Sequence, residues 1–232
     1  IRDLIHDVAF PKDIGKEITT SFTKLKSPLV AVRSSATAED SSVASWAGEL
    51  ESYLNTTKTT LLKNVKQCWS SLFTPRAIFY RHEKKLLKKH VSVAVVVQKM
   101  VQSEISGITF TVHPVTEEKT QMIVEAGYGL GEAIVSGQIT PDSYVVEKPT
   151  MTIMDINVAT QEKQIIRAKT GNKTVNVPKA KGGKQKLTGK QILDVATVCM
   201  DVEKHYGFPC DIEWAMEKKK IYIVQSRPIT TL

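Results

Sequence analysis

From Val91 onward the chain is a succession of short β-branched segments broken by one helical period, and that pattern restricts the fold more than any other feature. Residues 93–97, 106–112, 121–125, 143–147, 151–157 and 164–167 each have the length and composition of a strand. Residues 211–216 and 221–226 add two more. The helix among them, 188–205, opens on Thr188 as a cap and carries Ile192, Leu193, Val195, Ala196, Cys199 and Val202 as an apolar stripe. Strands in succession with one late helix predict an α+β architecture, a largely antiparallel sheet with flanking helices.

The first ninety residues are more mixed. Residues 11–24 read as a helix, 29–33 as a short strand, and a Ser/Ala-rich loop runs on through Gly48 to a strand near Tyr53. Two helices follow, 57–72 and 75–89. The first has an N-terminal Thr cap and a stripe of Leu61, Leu62, Val65, Cys68, Trp69 and Leu72. The second starts at Pro75, where a missing N–H costs nothing. A boundary near His90 divides the chain into lobes of 1–90 and 91–232.

Charge is unevenly placed. The 32 Lys and Arg exceed the 24 Asp and Glu by eight, and residues 161–190 hold nine basic residues against Glu162 alone. Gly171, Pro178, Gly182, Gly183 and Gly189 punctuate that stretch, so it reads as a long exposed loop. Clustered lysines can neutralise nucleic-acid phosphates, but no aromatic residue is present there to stack a base, which argues against nucleic acid and for a solvated loop. Cys68, Cys199 and Cys210 are odd in number with no C-x-x-C spacing, the usage of packed thiols in a reducing, cytoplasmic setting. No apolar run approaches the roughly 18–20 residues that cross a bilayer, and the first residues do not have the form of a signal peptide. A first residue other than Met predicts a piece of a longer protein.

The two last strands carry the most chemistry. With Lys218, Lys219 and Lys220 as a three-residue loop, Glu213 falls opposite Gln225 and Asp211 opposite Arg227. Alternation then puts these four on one face, with Ile212, Trp214, Met216, Tyr222 and Val224 on the core face. Carboxylate and amide oxygens suit a hard cation such as Mg²⁺ shared with substrate phosphates, and an adjacent Arg can stabilise a transferring phosphoryl group. The same pattern also fits a solvated sheet face with an Asp211–Arg227 ion pair. Two further segments are less specific. Arg33 runs into a loop of small residues that could cradle a phosphate or be plain surface, without Walker A spacing. Gly127, Gly129 and Gly131 lack the context of a dinucleotide fingerprint and read as a turn needing positive φ.

Taken together, VRSSATAED, ASWAGELESYLN, GLGEAIVSG, DIEWAM and IVQSRP resemble the nucleotide-binding domain of the phosphoenolpyruvate synthase family, which includes pyruvate phosphate dikinase and rifampicin phosphotransferase. The resemblance runs from about Val30 to Ile229 and implies an ATP-grasp fold binding ATP and Mg²⁺. It implies that Arg33 binds phosphates, that Gly48 and Ser52 contact the nucleotide, and that Gln98 serves the adenine side. Ser52 stands where the family has Thr, which keeps the hydroxyl. It further implies that Glu213 and Gln225 hold Mg²⁺ and contact ATP, while Arg227 and Asp211 support phosphoryl transfer. The family's N-terminal Gly-rich segment with its Lys, its phosphohistidine domain and its pyruvate-binding barrel have no counterpart in these residues. The implied function is therefore the ATP-binding part of an enzyme converting ATP, pyruvate and water to phosphoenolpyruvate, AMP and phosphate. Its partner would be the phosphohistidine domain of the same enzyme, with no membrane involved and the chain alone inactive. The alternatives are orthophosphate or rifampicin as acceptor, a non-catalytic fragment, or a polyanion-binding module.

Overall fold

The computed structural model describes residues 1–37, 50–169 and 171–229. The chain divides into two compact units, Ile1–Met100 with Lys169–Gly171, and Val101–Ala168 with Asn172–Leu232. The first unit therefore extends past His90, because the strand that follows it pairs within that unit.

In the first unit, α1 (Arg2–Asp7) and α2 (Lys12–Lys24) precede β1 (Val30–Ala36) and β2 (Ser52–Thr56). Then come α3 (Leu61–Ser70), α4 (Pro75–Glu83) and β3 (Val93–Lys99). The strands form an antiparallel sheet in the order β2-β1-β3. One sheet face packs Val30 and Val32 against Leu61, Val65 and Cys68 of α3 and Phe22 of α2. The helix expected from residue 57 starts four residues later, because Thr57 and Thr60 close a turn on each other first (Thr60 N to Thr57 O, 3.1 Å). The helix from Pro75 is capped by the Thr74 hydroxyl, which accepts from Ala77 N at 3.2 Å. It ends at Glu83 rather than 89, where Lys85 turns to a φ of 56°.

The second unit is built on a six-stranded antiparallel sheet. Its first strands are β4 (Ile105–Phe110) and β5 (Gln121–Tyr128), followed after a short helix α5 (Glu132–Val135) by β6 (Asp142–Glu147) and β7 (Thr152–Asn157). A separate hairpin, β8 (Lys163–Arg167) with β9 (Asn172–Asn176), leads to α6 (Lys179–Gly182) and the long α7 (Gly189–Tyr206). The last pair, β10 (Cys210–Glu217) and β11 (Lys220–Pro228), completes the order β11-β10-β4-β5-β6-β7. Thr188 and Gln191 close the capping box expected of α7. Its stripe of Ile192, Val195, Ala196 and Cys199 covers one face of the sheet, against Met122, Val124, Tyr144, Ile212 and Trp214. Each large side chain buried there contributes about 1.5–3 kcal/mol relative to exposure. With one face sealed by α7, the alternate residues of β5, β4, β10 and β11 are directed to the other, and those carry the polar groups.

The α+β, largely antiparallel architecture expected from the pattern is the one observed. The 161–190 stretch is different. It is organised as β8, β9 and α6 rather than one open loop, and Lys186 is fully buried. Its Nζ lies 2.7 Å from Asp142 Oδ1. Asp142 also accepts from Tyr144 OH at 2.8 Å, Lys186 N at 2.8 Å and Ala159 N at 3.0 Å.

Candidate functional site

The β10–β11 hairpin is tighter than its sequence suggests. Only Lys218 and Lys219 form the loop, both with positive φ (50° and 64°), and Glu217 pairs with Lys220. A two-residue turn of that hand matches strand twist. By itself this loop would shift every pair beyond it by one residue. A bulge offsets the shift: Trp214 pairs with Ile223, yet Glu213 pairs with Gln225, so Val224 is the extra residue. Asp211 accordingly faces Arg227 as expected. The core assignment on β11 changes: Ile221 and Ile223 pack on the core, while Tyr222 pairs with Ala215 on the polar side.

On that polar side Arg227 is held between two carboxylates. Its Nη2 lies 3.5 Å from Glu213 Oε1 and its Nε 3.7 Å from Asp211 Oδ2. These are long contacts for charged hydrogen bonds, which prefer about 2.7–2.9 Å. The Arg227, Glu213 and Asp211 side chains are 15%, 17% and 26% exposed, so the group is shielded from bulk water yet reachable.

The same row continues across the sheet. Glu213 pairs with Ile108, Ile108 with Glu125, and Glu125 with Ser143. The sequence motifs do not single out Glu125. Burial, and then the charge of Asp211, push its carboxyl above the usual range. Only the strand pairing brings it into line with Glu213, from a position 88 residues earlier.

The Gly127–Gly131 segment bounds this face. Ile134 and Ile139 lie over Gly127, and the Ser103 and Ser106 hydroxyls donate to Gly129 O at 2.9 and 2.8 Å. Gly129 has the positive φ (91°) expected of such a turn, and a Cβ there would meet Ile165 O at 2.5 Å. Beneath, Gly107 lets Trp214 approach the sheet, since a Cβ would fall 1.8 Å from Glu125 O and 2.3 Å from the indole.

In the first unit Arg33 is paired directly with Ser52 on β2 and with Val96 on β3. Gln98 pairs with Ala31, two residues from Arg33 on the same face, and Arg33 Nη1 approaches Gln98 Oε1 to 3.5 Å. Three of the sequence-derived candidates thus share one sheet face. Gly48 lies outside the described residues. Val96, 49% exposed beside Arg33, gives this face an apolar surface that the sequence reading did not single out.

The cysteines are not nucleophiles. All three are buried and free, and burial pushes the Cys68 and Cys199 thiols up to about 12. Among the described residues no group of three His, Cys, Asp or Glu could hold a metal by itself. Glu213 and Gln225 are hard oxygen donors side by side on neighbouring strands. That set fits Mg²⁺, which takes one or two carboxylates and completes its shell with water and phosphate oxygens.

Each unit thus has a sheet face on which a guanidinium stands among oxygen donors, within an α+β architecture. The chain belongs to the family described as "Pyruvate phosphate dikinase, AMP/ATP-binding domain", whose match spans residues 1–232. It is 44% identical, over all of its length, to a probable phosphoenolpyruvate synthase of Methanocaldococcus jannaschii, covering 20% of that protein. Over 89% of the chain it is 51% identical to a probable phosphoenolpyruvate synthase of Archaeoglobus fulgidus, covering 28% of it. Rifampicin phosphotransferase of Bacillus subtilis is 40% identical over the whole chain, which covers 27% of that protein. The chain spans about a fifth to a third of the length of the curated relatives it matches. No helix among the described residues is long and apolar enough to cross a membrane.

Proposed function

We propose that the chain binds ATP with Mg²⁺ as the ATP-grasp domain of a phosphoenolpyruvate synthase-like phosphotransferase of the cytoplasm. The observation that carries this reading is the hairpin register, with Glu213 opposite Gln225 and Asp211 opposite Arg227 on the face that α7 leaves open. The higher identity to phosphoenolpyruvate synthases (42–51%) than to rifampicin phosphotransferases (40–41%) favours pyruvate as the final acceptor over rifampicin. In the longer protein the phosphoryl group would pass to a histidine on a separate domain, so this chain alone binds nucleotide without completing a turnover.

The residues act by position and charge, the usual burden in phosphoryl transfer. Glu213 and Gln225 would hold Mg²⁺, which would supply positive charge against that of the bound phosphates. Arg227 presents its guanidinium to the transferring phosphoryl group, and Asp211, near its Nε, fixes the direction of the fork. Arg33 would serve phosphate oxygens, Gly48 and Ser52 would contact the nucleotide, and Gln98 would serve the adenine side.

Calorimetric titration of the chain with ATP, with and without Mg²⁺, tests the reading. ATP binding should require Mg²⁺, and Glu213→Gln should weaken it by about tenfold or more, the loss of a charge-assisted contact. Equal affinity in the variant would remove Glu213 from the metal site, and an absence of heat with the parent chain at millimolar ATP would end the reading.

A further inference from the structure

We propose that Glu125 binds the ribose of the nucleotide, its carboxylate accepting hydrogen bonds from the 2′- and 3′-hydroxyls. This rests on the ATP-binding reading above and adds the residue that distinguishes a nucleoside triphosphate from a bare polyphosphate.

Glu125, Ile108, Glu213 and Gln225 are successive partners across four strands, on the face opposite α7. Glu125 is thus two strand spacings, about 10 Å, from the Glu213 end of the row. A triphosphate anchored at Glu213, Gln225 and Arg227 and laid along the row brings its sugar toward Glu125. The half-buried Ile108 between them offers an apolar surface to the sugar. The ligand cannot turn toward the hairpin loop over β5, because Ile134 and Ile139 cover that face at Gly127.

Glu125 is half-buried, and no hydrogen bond or ion pair to its carboxylate occurs among the described residues. An ionised carboxylate only accepts, so a ligand lying along the row would meet Glu125 with its hydrogen-bond donors. ATP offers the two ribose hydroxyls and the adenine amine, and along the row from the phosphates the hydroxyls come first.

The test compares the parent chain with Glu125→Ala and Glu125→Gln by calorimetry in Mg²⁺, using ATP, 2′-deoxy-ATP, 3′-deoxy-ATP, inosine triphosphate and inorganic tripolyphosphate. Glu125→Ala should bind ATP about 10–100-fold more weakly, the effect of losing hydrogen bonds to a charged acceptor, and bind tripolyphosphate as the parent does. The parent should discriminate against at least one deoxy nucleotide, and Glu125→Ala should not. Glu125→Gln, which keeps an acceptor oxygen, should recover part of the affinity. Unchanged ATP affinity in Glu125→Ala, or an equal loss with tripolyphosphate, would overturn the assignment, the latter by moving Glu125 to the phosphate end. A loss specific to ATP over inosine triphosphate would also overturn it, by assigning Glu125 to the base. A parent chain that binds neither ATP nor tripolyphosphate overturns the ATP-binding reading itself. A parent that binds both while the Glu125 variants change nothing overturns only this assignment.

Discussion

Two carboxylate–cation groups occupy opposite faces of the same six-stranded sheet and are built to different tolerances. On the α7 side, Asp142 and Lys186 are both 0% exposed and 2.7 Å apart, and Asp142 takes three further donors. On the open side, Arg227 stands 3.5 Å from Glu213 and 3.7 Å from Asp211, with all three side chains partly exposed. The first group is saturated by the protein and ties β6 to the segment entering α7. The second has longer contacts and partial exposure, and under the proposed ATP-binding reading a phosphate would compete for the guanidinium. The contrast separates an ion pair sealed inside the fold from one that remains open to solvent.

The strongest way to break this comparison is Lys186→Met. Removing one partner of a buried pair leaves an uncompensated charge and typically costs about 3–5 kcal/mol. At about 2–4 °C per kcal/mol for a chain of this size, the melting temperature should fall by roughly 6–20 °C. A calorimetric melt that moves by less than a degree would mean the pair is not the structural tie described. Arg227→Met should do the reverse. Its loss should cost less stability than that of Lys186, because the group keeps some access to water, while ATP affinity drops by about tenfold or more. A variant that unfolds as readily as Lys186→Met would erase the distinction between the two groups.

The smallest effect sharpens the open side. The folded Glu125 carboxyl titrates above its ordinary value of 4.5, so the folded state holds that proton more tightly than the unfolded one. Ionising Glu125 therefore costs stability, and the cost grows as pH rises through the folded value. Glu125→Gln removes it. The variant should melt slightly higher than the parent at pH 7, with the difference shrinking toward zero at about pH 4. A variant that melts lower than its parent at pH 7 would show that the carboxylate has a stabilising partner.

Much of this was legible in the residues, in places because two local departures offset each other. The pairing of Glu213 with Gln225 follows from alternation counted outward from a three-lysine loop. The loop has two residues, and the bulge at Val224 supplies the missing one, so two local departures cancel at the site. They do not cancel nearer the turn, where Tyr222 moves to the polar face. A bulge has no residue signature strong enough to read from sequence, because it is set by how the two strands twist on their neighbours. Gly129 was legible as a positive-φ turn, but its place against Ile165, 36 residues on, was not.

Lys186 shows the limit most clearly. In sequence it is one of nine basic residues in a Gly-rich stretch, and nothing local separates it from exposed Lys184 or Lys190. Its burial depends on Asp142, 44 residues earlier. What the sequence determined by itself was the succession of strands, the α7 cap and stripe, and the motifs shared with the family, because periodicity and capping act over a few residues. What only the tertiary structure decided was which charges are sealed and which remain open, and that Glu125 joins the row of Glu213. Those outcomes depend on strand order and register between distant segments, where the desolvation of each charge is set by whatever the fold packs above it.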